Sequence, residues 1–343
     1  MDTRDSPEQA ELRRSARQLA RELGPGTVAA LDDEARQTRL AAAVRDAGWL
    51  ELRDDAGDGQ PVGGGAEAAI VAEALGEAVA DTPFICPLLA RDLLRRQSAP
   101  SLDAAVAFSA DLTSAAIVEG SATTEPVHML DAAADVTSAI VLVPASGGFF
   151  RVGRVPVVGA ARGSDLTRAV RGIPIGAPVE TIGGAIGPDG IAAWTALGLA
   201  LTSADLVGVM RGVLDVTVAY AAERKQYGVA VGSFQAVQHL LAEARCLLEG
   251  SASAALYAGW AVDHASPADA VAAGRVAKAY CARAARTVCE TAVQVHGGIG
   301  NTWECVVHVY LRRALLSAQW FGDDAAQLGA LQAERLGVTV GLP

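Results

Sequence analysis

Two short stretches of this chain set side chains that can bind a ligand beside bare backbone. The first is ERKQYGVAVGSFQ, Glu223 to Gln235. Arg224 can pair with a phosphate. Tyr227 can stack on a planar base. Gln235 falls in the first turn of a helix, whose N-terminus favours anions. The second is QVHGGIGNTWE, Gln294 to Glu304. Gln294, Val295 and His296 lead into Gly297–Gly298, a doubled glycine that lets a ligand approach the main chain closely. This is no dinucleotide fingerprint, because G-x-G-x-x-G must follow a strand and these glycines follow a helix. His296 reads as a packing or hydrogen-bonding residue, since no carboxylate or nucleophile is spaced to orient it as a base. Gly297 suits the end of one helix. Asn301 is expected to open the next, with Glu304 reaching back as a capping box.

The elements that must hold these joints follow from apolar period. From residue 1 to about 102 the chain reads as helices. In PEQAELRRSARQLARELG the apolar positions Leu12, Ala16, Leu19 and Leu23 recur at helical spacing, and the run closes on Gly24-Pro25. From 103 to 187 the period changes. AAVAFSADL, AAIVEGS, TSAIVLVPAS, GFFRVGRVPVV and RAVRGIPIG are short, β-branched and bounded by turn residues. They are expected to form an antiparallel sheet with no intervening helices. From 188 to 343 four helical runs return, the first reaching to Gly228. Ser233 is expected to cap the second, and Ser266 with Pro267 to open the third. The expected fold is α+β: helical domain 1–102, small antiparallel β domain 103–187 and four-helix bundle 188–343.

Composition narrows the function. A net charge of -11 argues against nucleic acid, which needs a basic face. Lys225 and Lys278 are the only lysines. The charged N-terminus has no apolar signal-peptide core, and no charge-free apolar run reaches ~18 residues. Neither membrane nor secretion is expected. The five cysteines are widely spaced with no CxxC. Buried free thiols in the cytoplasm are expected rather than disulfides or a metal site.

The joints taken together carry a resemblance. R-x-x-[FY]-G, then G-x-F-Q about ten residues on, then Q-x-x-G-G-x-G some sixty residues later, resembles the acyl-CoA dehydrogenase family. GWLEL, EALGEAVADTPFI and SDLTRAV extend the likeness over nearly the whole chain. NTWECVVHVYLRRA is similar to the actinobacterial branch that handles steroid side chains. The resemblance implies dimers of dimers that hold FAD at a subunit interface. The flavin ring would sit between the β domain and bundle of one subunit, and the neighbour would clamp the ADP half. Arg224 and Gln235 would then serve the pyrophosphate and adenosine side, and Tyr227 the adenine pocket. Gln294, Val295, His296, Gly297 and Gly298 would pack against the ADP moiety.

Family chemistry also needs a carboxylate that removes the α-proton of a CoA thioester while the flavin accepts the β-hydride. By this resemblance, Phe321 stands at the usual Glu position, followed by Gly322 and Asp323. At the alternative position, on an earlier bundle helix, stands Gly198. No catalytic residue is therefore expected. Asp205 and Asp323 are the nearest carboxylates, and both read as solvated helix positions. Thr124-Glu125-Pro126 matches part of the family's flavin-contacting signature, but the Gly-Ser-Asp that should follow is missing. The resemblance thus implies a non-catalytic subunit of a heteromeric enzyme, most simply a heterotetramer. A homologous partner would carry the Glu, the flavin pocket and the acyl-CoA cleft. Two alternatives stay open: a homo-oligomeric flavoenzyme with a relocated base, and a flavin-free interaction protein.

Overall fold

Ser6 starts the first helix by a reciprocal cap: Gln9 N donates to its Oγ, and Ser6 N donates to the Gln9 side chain. The computed structural model describes residues 3–337. The last few residues of the 188–343 range, and residues 1 and 2, lie outside it. Four helices come first: α1 (Pro7–Leu23), α2 (Glu34–Asp46), α3 (Gly65–Glu77) and α4 (Ile85–Arg96). Seven strands follow: β1 (Ala104–Phe108), β2 (Val127–Leu130), β3 (Ser138–Pro144), β4 (Phe150–Pro156), β5 (Val158–Arg162), β6 (Ala169–Ile173) and β7 (Glu180–Ile186). The long helix α5 (Pro188–Glu223) leads through a two-strand hairpin, β8 (Lys225–Gln226) and β9 (Val229–Ala230), into α6 (Gln235–His264). Then come α7 (Pro267–His296), α8 (Val307–Gln319) and α9 (Asp324–Arg335). This is the α+β architecture expected from the change of period.

The sheet corrects the expected antiparallel array. Its order is β5-β6-β2-β1-β3-β4-β7, and β1 pairs with β3 in parallel, Ala104 opposite Ser138. Among the named pairs of that sheet the others are antiparallel. The chain leaves β1, places β2 on one side of it, then crosses back to the other side. AAIVEGS makes only isolated bridges, through Ala115 and Ile117. The strands β2 and β7 form instead where period gave no signal. β7 contains Gly183 and Gly184, which blur any alternation.

The bundle shows three further corrections. α5 stops at Glu223, because Tyr227 (φ 52°) and Gly228 (φ 82°) make the turn of a tight hairpin. Ser233 is no N-cap: its Oγ donates to Ala230 O at 2.7 Å, and Phe234 holds the cap position. Asn301 ends a 3₁₀ turn and α8 begins only at Val307, with no side-chain cap. Glu304 accepts from Thr302 Oγ1 at 3.4 Å rather than reaching back. Ser266 and Pro267 open α7 as expected, with Asp269 N donating to Ser266 Oγ.

α5 is the spine. By length and apolarity it matches a membrane span, but 94% of its apolar window is buried inside the protein. It crosses α3 so closely that a Cβ on Gly208 would lie 2.0 Å from Glu73 O. One continuous core joins α1–α4, the sheet and the first half of α5. A second fills the space among α5, α6, α7 and α8. All five cysteines are free; Cys246 alone is exposed.

Candidate functional site

The two joints meet at one end of the bundle. α5, α6 and α7 run up, down and up, so the ends of α5 and α7 lie beside the start of α6. Tyr220, near the end of α5, links them. Its carbonyl accepts from Arg224 N at 2.8 Å. Its ring stacks on His296 with centroids 4.2 Å apart, and its hydroxyl donates to His296 O. The His296 ring is buried, with Nδ1 2.8 Å from Ala292 O. It therefore packs the joint together, as its reading as a packing or hydrogen-bonding residue expects, and only its main chain is left to meet a cofactor.

The remaining groups face solvent. Tyr227 is 95% exposed on the hairpin turn, edge-on to Phe234. Arg224 and Gln235 are exposed, and neither side chain has a hydrogen-bond or ion-pair partner among the described residues. Val231 N donates to Arg224 O at 2.7 Å, which folds the hairpin back over the end of α5. The N-cap of α6 makes no side-chain bond and Val237 N turns back to Phe234 O at 3.0 Å, so among the described residues the Gln235 and Ala236 amides are the ones left for an anion. Gln294, Gly297 and Gly298 are exposed and Val295 half-buried. Gly297 closes α7 at φ 66°, and nothing lies within 4 Å of where a Cβ would stand on Gly297 or Gly298. A guanidinium, a free aromatic face, uncapped amides and open main chain share one surface. These groups fit the ADP half of a dinucleotide.

The two positions at which the resemblance expects a carboxylate lie in the core. Gly198 and Phe321, the two expected carboxylate positions, touch each other although 123 residues apart in the chain. A Cβ on Gly198 would stand 2.2 Å from Phe321 Cζ. The Phe321 ring lies edge-on to Phe108 at 5.3 Å and tilted to Trp194 at 5.5 Å. Its backbone takes a left-handed φ of 60°, and its N–H donates to Leu112 O at 2.9 Å. Leu112, in the turn after β1, is itself left-handed at φ 61°. Trp320 is fully buried beside them, parallel to Phe108, with Arg168 over its ring at 4.6 Å. Phe108, Trp194, Trp320 and Phe321 thus form one buried aromatic cluster against Gly198.

This packing makes a prediction. Gly198→Ala forces a methyl into the Phe321 ring and is expected to cost about 1–3 kcal/mol. Adding Phe321→Leu should recover part of that loss, giving a clear coupling in a double-mutant cycle measured by urea unfolding. Additive effects would mean that the two positions do not share this volume.

Both spare aspartates have partners within the fold. Asp205 was expected on a solvated face and is instead fully buried. Arg313 Nη2 donates to its Oδ1 at 2.6 Å, Arg168 Nη2 lies 2.9 Å from Oδ2, and Ser317 Oγ donates to Oδ2 at 2.6 Å. Burial opposes its charge, but the two guanidiniums outweigh it and hold the carboxyl well below the usual range. Its position inside two cores, with cations from distant segments, gave no signal in α5 alone. Lys278 donates to Ser317 O in the same cluster, and burial pulls its pKa down to about 7. Asp323 caps α9, accepting from Ala326 N at 2.9 Å. Thr124-Glu125-Pro126 lies in the coil before β2. Among the described residues no group of His, Cys, Asp and Glu can hold a metal.

Comparison with known proteins gives concordant matches. Residues 196–336 match the family model described as acyl-CoA dehydrogenase, C-terminal domain. The chain is 31% identical over 275 residues to acyl-CoA dehydrogenase IpdE2 of Mycobacterium tuberculosis, covering 78% of this chain and 77% of that protein. It is 38% identical over 174 residues to IpdE2 of Mycolicibacterium smegmatis, a match spanning half of each chain. Among solved structures, the Tcur3481-Tcur3483 steroid ACAD G363A variant aligns with a TM-score of 0.76 at 23% identity, covering 96% of this chain and 99% of that one. The ChsE4-ChsE5 complex from Mycobacterium tuberculosis aligns with a TM-score of 0.76 at 21% identity, covering 99% of this chain and all of the other.

Proposed function

The chain belongs to the acyl-CoA dehydrogenase family, and from that premise we propose that it is the non-catalytic subunit of a heteromeric, FAD-dependent acyl-CoA dehydrogenase. The observation that carries the reading is the contact between Gly198 and Phe321: both base positions lack a carboxylate, and an aromatic ring fills the space between them. The surface at the end of the bundle supports the other half of the reading. Arg224, Gln235, Tyr227 and the Gly297–Gly298 main chain would hold the ADP half of an FAD whose ring lies in the partner. When bound, FAD supplies the hydride acceptor for α,β-dehydrogenation of a CoA thioester. The partner would supply the base and the acyl-CoA cleft.

The outer face of α6 fits this assignment. Among Gln235–Glu243 no residue is buried, and Val229, Phe234 and Leu240 expose apolar surface nearby. A second subunit would cover them. The names Tcur3481-Tcur3483 steroid ACAD and ChsE4-ChsE5 complex each pair two components, and the first concerns a steroid enzyme. They support a partner subunit and a steroid-derived substrate. A self-sufficient homo-oligomer is disfavoured because Asp205 and Asp323 are committed to an ion cluster and a helix cap.

The test is assembly. Mixed with a full-length homologue that carries the glutamate, the chain should form a complex of unlike subunits in equal number, measured by native mass spectrometry. A chain that stays a homo-oligomer and oxidises acyl-CoA by itself would overturn the assignment.

A further inference from the structure

Just past the 3₁₀ turn Gly297–Asn301, α8 carries an imidazole with no partner. His308 is nine-tenths buried, and beyond its own backbone neither ring nitrogen has a hydrogen-bond partner among the described residues. Trp303 lies edge-on to the ring at 5.1 Å. Trp303 is itself 64% exposed, so the edge of this contact reaches the surface. Arg312, one turn along α8, lies over the same indole at 5.7 Å. Arg312 Nη1 donates to Ser164 O at 3.1 Å, and its other donors have no partner among the described residues.

A buried imidazole without hydrogen bonds costs the fold free energy, and chains rarely keep one without a use. Burial, then the Arg312 charge, lowers the His308 pKa, which favours the neutral ring with its one N–H donor. Beside it stand guanidinium donors and an exposed aromatic face. A carboxylate fits this set: it can accept from the imidazole and from the guanidinium while Trp303 packs over its stem. An exposed Trp next to an Arg is also the composition of an interface anchor.

We propose that Trp303, His308 and Arg312 form a contact site for an acidic side chain of the partner subunit, separate from the groups that hold ADP. This rests on the heteromeric reading above, and the site follows directly in sequence the Gly297–Gly298 turn that this reading gives to the partner's cofactor.

The experiment compares assembly of wild type, His308→Phe and Trp303→Ala with the glutamate-bearing homologue, together with the melting temperature of each lone chain. Phe fills the imidazole space without unsatisfied nitrogens, so the lone His308→Phe chain should melt at or above the wild-type temperature. Its dissociation constant for the homologue should nevertheless rise about tenfold or more. Trp303→Ala, a change at an exposed residue that leaves the fold intact, should weaken assembly similarly. Unchanged affinity in both variants would overturn the proposal, as would a His308→Phe chain that melts lower, since the ring would then have its partner within the chain. Failure of the wild type to assemble with the homologue would instead remove the heteromeric reading itself, and this site with it.

Discussion

Replacing Asp205 by Asn is expected to destabilise the chain by about 3–5 kcal/mol, the usual result of breaking a buried ion pair from one side. Arg168 and Arg313 converge on this carboxylate, and both are buried. Asn can still accept a hydrogen bond from Ser317, but it leaves two cations without their counter-charge. The effect is large because the cluster joins three parts of the chain: the turn before β6, α5 and α8. Asp131 extends it to α4, where Phe84 N and Ile85 N donate to its Oδ2.

The pH dependence has a definite sign. The folded-state pKa of Asp205 is depressed below its ordinary 3.8. Its stabilising contribution is therefore full above that ordinary value and is lost as pH falls through the folded value. Urea midpoints at pH 7 and in acid check both statements. A stable Asp205→Asn chain that had merely lost acyl-CoA oxidation would instead make Asp205 a base.

Removing the Arg224 guanidinium should release FAD from the flavin site proposed at the interface with a partner subunit. Arg224→Ala, in the complex of unlike subunits, is expected to weaken FAD by about 10- to 100-fold, the worth of one charge-assisted bond to phosphate. The melting temperature of the lone chain should not move, because the Arg224 side chain is exposed and makes no ion pair among the described residues. The two readouts separate a cofactor contact from a structural one. Fluorescence of released flavin in a dilution series measures the first, and thermal unfolding the second. Unchanged FAD affinity would remove Arg224 from the clamp.

Much of this was legible in the chain before any coordinates. Helical period, then short β-branched runs, then helical period again gave the order of elements, because burial on one face writes itself into spacing. Arg224, Gln235 and Gly297–Gly298 were legible as surface groups because the joints that carry them are local motifs. What sequence could not supply was pairing across distance. Asp205 looked like a solvated residue because its two arginines lie 37 residues before it and 108 after. The contact of Gly198 with Phe321 needed α5 and the α8–α9 corner brought together. Leu112, which anchors the Phe321 backbone, carries no signal at all, since a left-handed leucine reads like any other. The capping errors at Ser233 and Asn301 have one cause. A cap-forming residue stands near each helix start, but tight 3₁₀ turns set the actual starts at Gln235 and Val307. The parallel pairing of β1 with β3 depends on a crossover that alternation does not encode.

The central claim is that this chain completes a flavin site it cannot complete for itself. The most direct measurement is FAD per protomer, from the absorbance of flavin released from the purified chain alone and from its complex with the glutamate-bearing homologue. The account predicts a colourless lone chain and about one FAD for each pair of unlike subunits. About one FAD per protomer in the lone chain would contradict it.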